Sequence, residues 1–447
     1  AWSGNFTSWR YKVTTGNKPD VSLRDLVAEA KRLDIPTVFW NKEDPVHFSE
    51  FVETAGLFDY VLTTEQEMVP CYLELDGVKG SALLRFAAAP TIHRPNWVEG
   101  YHEGDVAFAG MYFTHKYPER REQMDILFRG ASHHRFAIFS RMYGGDPRYQ
   151  FPEQFEHHIV GSLPYDEMVV EYRRHKVFLN VNSVPQSTTM CARRVFELSA
   201  AKTAVVGMYS AAIRSVYDDG EVFLARSENE AFDILNELVN DEFLRRSAVQ
   251  RAWRKTVSLH TYADRVAEIA KLLGVDSEPP AITIRVVAHA DNSDDLTQLL
   301  DDLERQEFTF LGDVSLDVVV EGRVAQGASD RSEMKKLEPD APIHADYLAY
   351  VKSGVRYGKY YLNDLILTSI QQPGVPVAKV LSNDLGEIGR IEERERDGIP
   401  RHGWLATIPH GQTYRSFLKN GLGESVYFGD AFGVSAHFDV NKEFLEG

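Results

Sequence analysis

Short apolar runs alternate along this chain with stretches whose apolar residues recur every three or four positions, the pattern of buried strands between amphipathic helices. Thr37–Trp40, Tyr60–Thr63 and Ser81–Ala87 read as strands. Ser22–Leu33 reads as a helix capped by Ser22, with Leu23, Leu26, Val27, Ala30 and Leu33 on its apolar stripe. Helices over His47–Ala55 and Glu65–Leu73 alternate with the strands. Residues 1–98 therefore predict a parallel, helix-covered sheet, the later half of a larger domain whose earlier strands would precede Trp2. The opening Ala1-Trp2-Ser3, without Met, fits a truncated or processed start.

A turn-rich hinge from Ala89-Pro90 to Tyr101 leads into a second unit, residues 99–275. Its strands are expected at Asp105–Gly110, Arg135–Ser140, His158–Gly161, Val177–Val181, Ala204–Gly207 and Val222–Leu224. Helices start near Pro118, at Leu163–Glu167 and at Thr188 or Thr189, the last running to Lys202. Asn229–Val239 and one long helix, Glu242–Leu273, follow; the second would cross back between domains. Ser277-Glu278-Pro279-Pro280 is a linker, and residues 281–447 begin a smaller α/β unit with Ile282–Ala288, Asp295–Arg305 and Ser315–Glu321. Strand-helix-strand over Tyr347–Gln371 and Val375–Val380 continues it.

The chemistry gathers where strands should end. In open parallel sheets, ligands sit outside the carboxyl ends of the strands. There Asn180, Asn182 and Ser183 open a polar loop, Pro185–Thr189, ahead of a helix carrying Arg193, Arg194 and Glu197 one turn apart. A helix N-terminus with hydroxyls and two arginines suits a diphosphate, and a carboxylate one turn further in suits ribose hydroxyls. An ordinary solvated helix face accounts for the same three residues. Gly110 ends another strand and permits close backbone approach. Glu43, Asp44 and His47, and Thr63, Thr64 and Glu65, would open on one edge of the first sheet.

Composition narrows the field. At 447 residues, two or three domains are expected. A formal net charge of −17 argues against a broad nucleic-acid surface, while leaving room for a local basic pocket. Cys71 and Cys191 are far apart and form no disulfide framework, so a reducing, cytoplasmic setting fits. No apolar run has the length of a membrane span, which leaves peripheral membrane contact open. GxGxxG, P-loop and GxSxG patterns are missing, which weakens dehydrogenase, kinase and hydrolase readings. His133-His134 and His157-His158 lack the spacing of a zinc site. Trp2, Trp9 and Trp40 suit core packing or a sugar ring.

Several motifs together resemble the CgeB-type, spore-protein-like glycosyltransferases: FWNKEDP (Phe39–Pro45), FDYVLTT (Phe58–Thr64), VAFAGMYFTHKYPERR (Val106–Arg121), LNVNSV with STTMCARRVFELSA (Leu179–Ala200) and HTYADR (His260–Arg265). The resemblance spans about residues 1–273 and implies the GT-B fold, two Rossmann-like domains facing across a cleft. It implies transfer of a sugar from a nucleoside-diphosphate sugar, here a UDP-sugar, to a hydroxyl of a glycan, cell-surface polymer or protein. By position, Glu197 would hold the ribose, and Arg193 and Arg194 the diphosphate beside Ser187 and Thr188. Leu163 and Tyr165 would hold the base, Gly110 and Tyr112 would face the phosphates, and Arg141 and Asn182 complete the donor set.

Retaining GT-B enzymes often carry two glutamates with seven residues between them. The position eight before Glu197 is Thr189, which leaves the stereochemical outcome open. An inverting route needs a base, for which Glu43, Asp44 and His47 are the candidates. Equally, Asp44-Pro45 could cap the His47 helix and Glu43 pair with an arginine. The third unit resembles a GT-A glycosyltransferase in outline. Where such folds place an acidic metal-binding pair it has Lys352-Ser353-Gly354, and Asp291, Asp294 and Asp295 read as helix N-terminal charges. A degenerate accessory domain for acceptor binding or assembly follows, with His437 and Asp439 structural. No metal and no cofactor beyond the donor co-substrate are expected, and self-association is open. The rival readings are an inactive glycan-binding scaffold and a nucleotide-sugar epimerase.

Overall fold

The computed structural model describes residues 12–14, 18–96, 98–275, 280–308, 311–321, 335–354, 357–378, 396–397, 403–408, 411–420 and 425–428. Trp2, Trp9, His437, Asp439 and linker residues 277–279 lie outside them.

The first unit runs α1 (Val21–Arg32), β1 (Val38–Asn41), α2 (Phe48–Ala55), β2 (Tyr60–Thr63), α3 (Val69–Leu73) and β3 (Gly80–Leu83). Its three strands pair in parallel in the order β1-β2-β3. The N-cap of α1 is Asp20, not Ser22; its carboxylate accepts from Ser22 N–H at 2.9 Å. Only Leu23 and Val27 of the expected stripe are buried, whereas Leu26 and Leu33 are 54% and 52% exposed. One i, i+4 row of the helix is covered and the flanking positions face water.

The second unit comprises β4 (Gly104–Gly110), α4 (Pro118–Ala131), β5 (Phe136–Ser140), β6 (Ile159–Gly161), α5 (Tyr165–Arg174), β7 (His175–Asn180), α6 (Arg193–Ala200) and β8 (Ala204–Met208). It continues with α7 (Ala211–Arg214), β9 (Phe223–Ala225), α8 (Glu228–Asn240), α9 (Glu242–Leu259) and α10 (Tyr262–Leu272). All its strands are parallel, in the order β6-β5-β4-β7-β8-β9. The order reverses between β4 and β7, so the crevice beyond their carboxyl ends is the topological switch point. Buried Val106, Phe108, Val177, Leu179 and Val206 face α4 and α8, while Phe178, Val195, Phe196 and Trp253 fill the other layer.

Two expected boundaries are corrected. The helix after β7 starts at Arg193, with Ala192 as an N-cap lacking a side-chain bond, and not at Thr188 or Thr189. Ser187 explains why: its hydroxyl accepts from Thr189 and Met190 N–H, at 3.1 and 2.7 Å, which locks those residues into a local turn. The expected long return helix is two helices, because Thr261 and Asp264 form a reciprocal capping box and start α10 afresh. The break turns α10 back onto the first unit. Tyr262 N–H donates to Ala88 O (3.1 Å), and Arg265 donates to Arg85 O (2.9 Å) and Phe86 O (3.2 Å).

The third unit contains β10 (Ile282–His289), α11 (Ser293–Glu304), β11 (Val314–Glu321), β12 (Lys335–Lys336), β13 (Tyr347–Lys352), α12 (Tyr361–Gln371) and β14 (Val377–Ala378). β15 (Arg396–Asp397), β16 (Gly403–Thr407), α13 (Tyr414–Asn420) and β17 (Ser425–Phe428) complete it. Its mixed sheet has the order β12-β11-β10-β13-β16-β14-β17-β15. This unit is docked through α12 rather than tethered. Asp364, 1% exposed, receives Arg254 of α9 at 2.7 and 2.8 Å and Gln250 at 3.0 Å. Gln371 accepts from Trp253 Nε1 (2.8 Å) and donates to His93 O and Ala200 O, each at 3.0 Å.

Candidate functional site

Two guanidinium groups meet at the switch point. Arg120, in the first turn of α4, donates to Val181 O at 2.9 Å and approaches Ser183 Oγ at 3.4 Å. Arg194, from the first turn of α6, donates to Ala109 O and, at 3.3 Å, to Tyr172 Oη. Among the described residues neither meets a carboxylate, and Arg120 Nε is buried without a partner. Burial, and next the charge of Arg194, pull Arg120 down to about 10. Paired cations that meet no carboxylate among the described residues, beside the uncapped N-terminus of α6, make a corner suited to an anion. A Cβ at Gly110 would lie 2.8 Å from the core ring of Phe108 and 3.6 Å from Arg120 Nη2, so glycine lets this strand end pack close beside the arginine.

One turn into α6, Glu197 is 2% exposed and saturated. Its Oε1 accepts from Tyr165 Oη at 2.9 Å and from Arg193 Nε at 2.6 Å; its Oε2 accepts from Tyr172 Oη at 2.9 Å. His93 Nε2 lies 2.6 Å from Tyr165 Oη and 3.8 Å from Glu197. Because Ala89 N–H donates to His93 Nδ1 at 3.0 Å, the neutral ring carries its proton on Nε2. The chain of donors thus runs from the interdomain hinge through His93 and Tyr165 to Glu197. Burial pushes the Tyr165 phenol far up, as does Glu197, and lifts Tyr172 to about 12. Burial likewise lowers His93.

The remaining residues expected at the donor site scatter. Arg193 is half exposed and lies over the Tyr165 ring, 5.6 Å from its centre. Tyr112 is a correction: it packs into the core against Phe151 rather than lining the crevice. Leu163 is half-buried against the core. Asn182 is buried, its backbone gripped by Gln123. Arg141 is exposed beyond β5 with its N–H on Gly110 O, and Thr188 is exposed. Ser187 is buried as the turn-former described above.

On the opposite edge, the NKEDP segment divides. Asp44 is fully buried; Asn41 Nδ2 (2.7 Å), Thr63 Oγ1 (2.6 Å) and Tyr72 Oη (2.8 Å) all donate to it. It organises the loop and presents no oxygen to an acceptor, which corrects its candidacy as the base. Burial raises it to about 6, against the pull of Thr63 and Tyr72, and Glu65 and Glu43 add to the rise. His47 is turned to Glu50 at 2.7 Å, and Glu43 is exposed. The two edges touch where Thr189 Oγ1 accepts from Gln66 N–H (2.9 Å) and lies 3.2 Å from both Thr64 O and Glu65 Oε1.

Arg120, His93 and Tyr172 escaped the sequence reading. Arg120 alone left a trace, as a basic residue two positions after a Pro-initiated helix that follows a strand-end glycine. In the third unit Lys352 ends β13 in register with His289, and Asp294 and Asp295 lie in the first turn of α11 under an Asn292 cap. Among the described residues no cluster of three or more His, Cys, Asp or Glu could hold a metal ion. No described helix is long and apolar enough to cross a membrane.

Residues 120–271 match the family described as glycosyl transferase-like. The match begins at Arg120 and contains both arginines, Glu197 and both tyrosines of the corner. No curated protein matches the chain. Among solved structures, HepE of Anabaena in complex with UDP and glucose is similar at 12% identity and a TM-score of 0.40, over 57% of this chain and 75% of that one. Sucrose-phosphate synthase from Thermosynechococcus elongatus follows at 10% identity and 0.39, over 56% and 70%. A glycosyltransferase from Rickettsia africae shows 9% identity and 0.37, over 56% and 80%.

Proposed function

We propose that this protein is a GT-B glycosyltransferase of CgeB type that transfers a sugar from a UDP-sugar to a hydroxyl of a glycan, cell-surface polymer or protein. One observation carries the reading: Arg120 and Arg194, without carboxylate partners among the described residues, flank the switch point beside the N-terminus of α6. Two fixed cations and a helix N-terminus are what a departing diphosphate needs as charge develops on its bridging oxygen. The chain thereby supplies the neutralisation that a divalent ion would otherwise provide, and the donor is its only co-substrate. Glu197 is the ribose ligand, exchanging the Tyr165 hydroxyl for the ribose diol, and the freed Tyr165 ring stacks on the base. The third unit, a degenerate GT-A-like domain, braces the donor side through Gln371.

The test is release of nucleoside diphosphate from a panel of nucleotide sugars, with binding followed by calorimetry. Wild-type protein is expected to bind UDP and release it from at least one donor, and Arg194→Ala to lose both. A glycan-binding scaffold is the second reading, favoured by the full occupancy of Glu197. It predicts sugar or nucleotide binding without release.

A further inference from the structure

A buried carboxylate that meets no cation among the described residues, and has no part in the donor site, lies at the edge of the first unit. Glu65 follows β2 at the carboxyl edge of the first sheet and is 2% exposed. Its Oε1 lies 3.2 Å from Thr189 Oγ1 and 3.4 Å from Glu67 N–H. Among the described residues no cation pairs with it, and its second oxygen has no hydrogen-bond partner. That oxygen is not sealed from solvent, so it stays available to a ligand entering between the units, whereas buried polar groups are ordinarily satisfied.

Its neighbours show the contrast. Asp44 uses both oxygens on three donors, Asp59 is held by Thr37 and Lys79, and His47 is turned to Glu50. Unlike these acids, Glu65 meets the opposite unit, at the same Thr189 hydroxyl that touches Thr64 O and Gln66 N–H. It touches the loop that runs directly into Arg193 and Arg194, where the carboxyl edges of the two parallel sheets meet.

We propose that Glu65 is the general base of the transfer, an assignment that rests on the glycosyltransferase reading above. The free oxygen of Glu65 takes the proton of the acceptor hydroxyl as that oxygen bonds to the anomeric carbon. The bond from the anomeric carbon to the diphosphate breaks, and its electron pair leaves on the diphosphate oxygen beside Arg120 and Arg194. Attack from the face opposite the departing diphosphate inverts the anomeric centre. Thr189 holds the other carboxylate oxygen and fixes its aim.

The experiment uses the full chain with UDP-glucose, UDP-galactose and UDP-N-acetylglucosamine, water serving as acceptor. UDP release and UDP affinity are measured for wild type, Glu65→Gln and Glu65→Ala. Glu65→Gln is expected to cut release about a hundredfold or more, the scale of a lost general base, with UDP affinity unchanged within about threefold. Formate should restore release in Glu65→Ala, and the first sugar anomer freed from these α-linked donors should be β.

Release in Glu65→Gln within about threefold of wild type overturns the assignment on that scale. So does UDP affinity falling in step with release, a first product of α configuration, or a wild type that binds UDP but frees none. If Glu65→Gln does not fold, formate rescue of Glu65→Ala and the anomer released by wild type decide. A wild type that binds no nucleotide fails at the donor site itself, a different result from any of these.

Discussion

Replacing Tyr165 by phenylalanine removes one oxygen atom and separates the two uses Glu197 could have. The hydroxyl donates to Glu197 at 2.9 Å and receives the His93 Nε2 proton at 2.6 Å, while the ring, 45% exposed, lies under the Arg193 guanidinium. Phenylalanine keeps the ring and its cation contact. A hydrogen bond to a charged group contributes about 1.5–3 kcal/mol, and the His93 N–H left facing a carboxylate 3.8 Å away loses its acceptor. Unfolding free energy in denaturant should therefore fall by about 2 kcal/mol. Nucleotide affinity should move the other way. If a ribose must displace the Tyr165 hydroxyl from Glu197, wild type gives up that bond on binding and Tyr165→Phe has already lost it. UDP should then bind about tenfold tighter for each ~1.4 kcal/mol so released. Calorimetric titration beside equilibrium unfolding reads both quantities on one sample. Lower stability with unchanged or weaker UDP affinity would refute the reasoning, because Tyr165 would never leave Glu197 and the carboxylate would be an internal anchor.

Arg120→Met should weaken UDP binding by about tenfold or more and flatten its salt dependence, with little loss of stability, since the guanidinium is buried without a counter-charge. Calorimetry across a salt series checks it. Asp364→Ala strands Arg254 and Gln250 at the α9–α12 joint and should destabilise it by about 3–5 kcal/mol, seen as a separate early unfolding transition of the third unit. Asp44 gives a pH signature: its folded-state value of about 6 lies above the ordinary 3.8, so the native state holds the proton more tightly. Its contribution to stability is full below about pH 4 and declines by about 3 kcal/mol as pH rises to 6. The stability difference between wild type and Asp44→Asn, followed by denaturant titration, should shrink by that amount over the window and level off above it.

Local pattern carried the architecture a long way. β2 lies at Tyr60–Thr63 as its apolar run predicts, and β5, β7 and β8 fall within two residues of expectation, because burial of a parallel strand on both faces is written into a few consecutive residues. The capping-box spacing of Thr261 and Asp264 was also present in the chain, but continuous helical periodicity on both sides hid it, and only the fold showed α10 turning back onto Ala88. The edge on which Glu43, Asp44, Thr63, Thr64 and Glu65 gather could be read from strand ends alone. What each carboxylate there does could not. Asp44 is enclosed by Asn41, Thr63 and Tyr72, Glu197 by Tyr165 and Tyr172, and Glu65 is left with one idle oxygen; these outcomes hang on donors up to 124 positions away in the chain. Periodicity is a property of neighbours in sequence, so the chain alone determined most of its strands and helices, the start of α6 and the break before α10 apart. The compensation of a buried charge is a property of neighbours in space, and the tertiary structure alone decided which acids are held and which remain free to react.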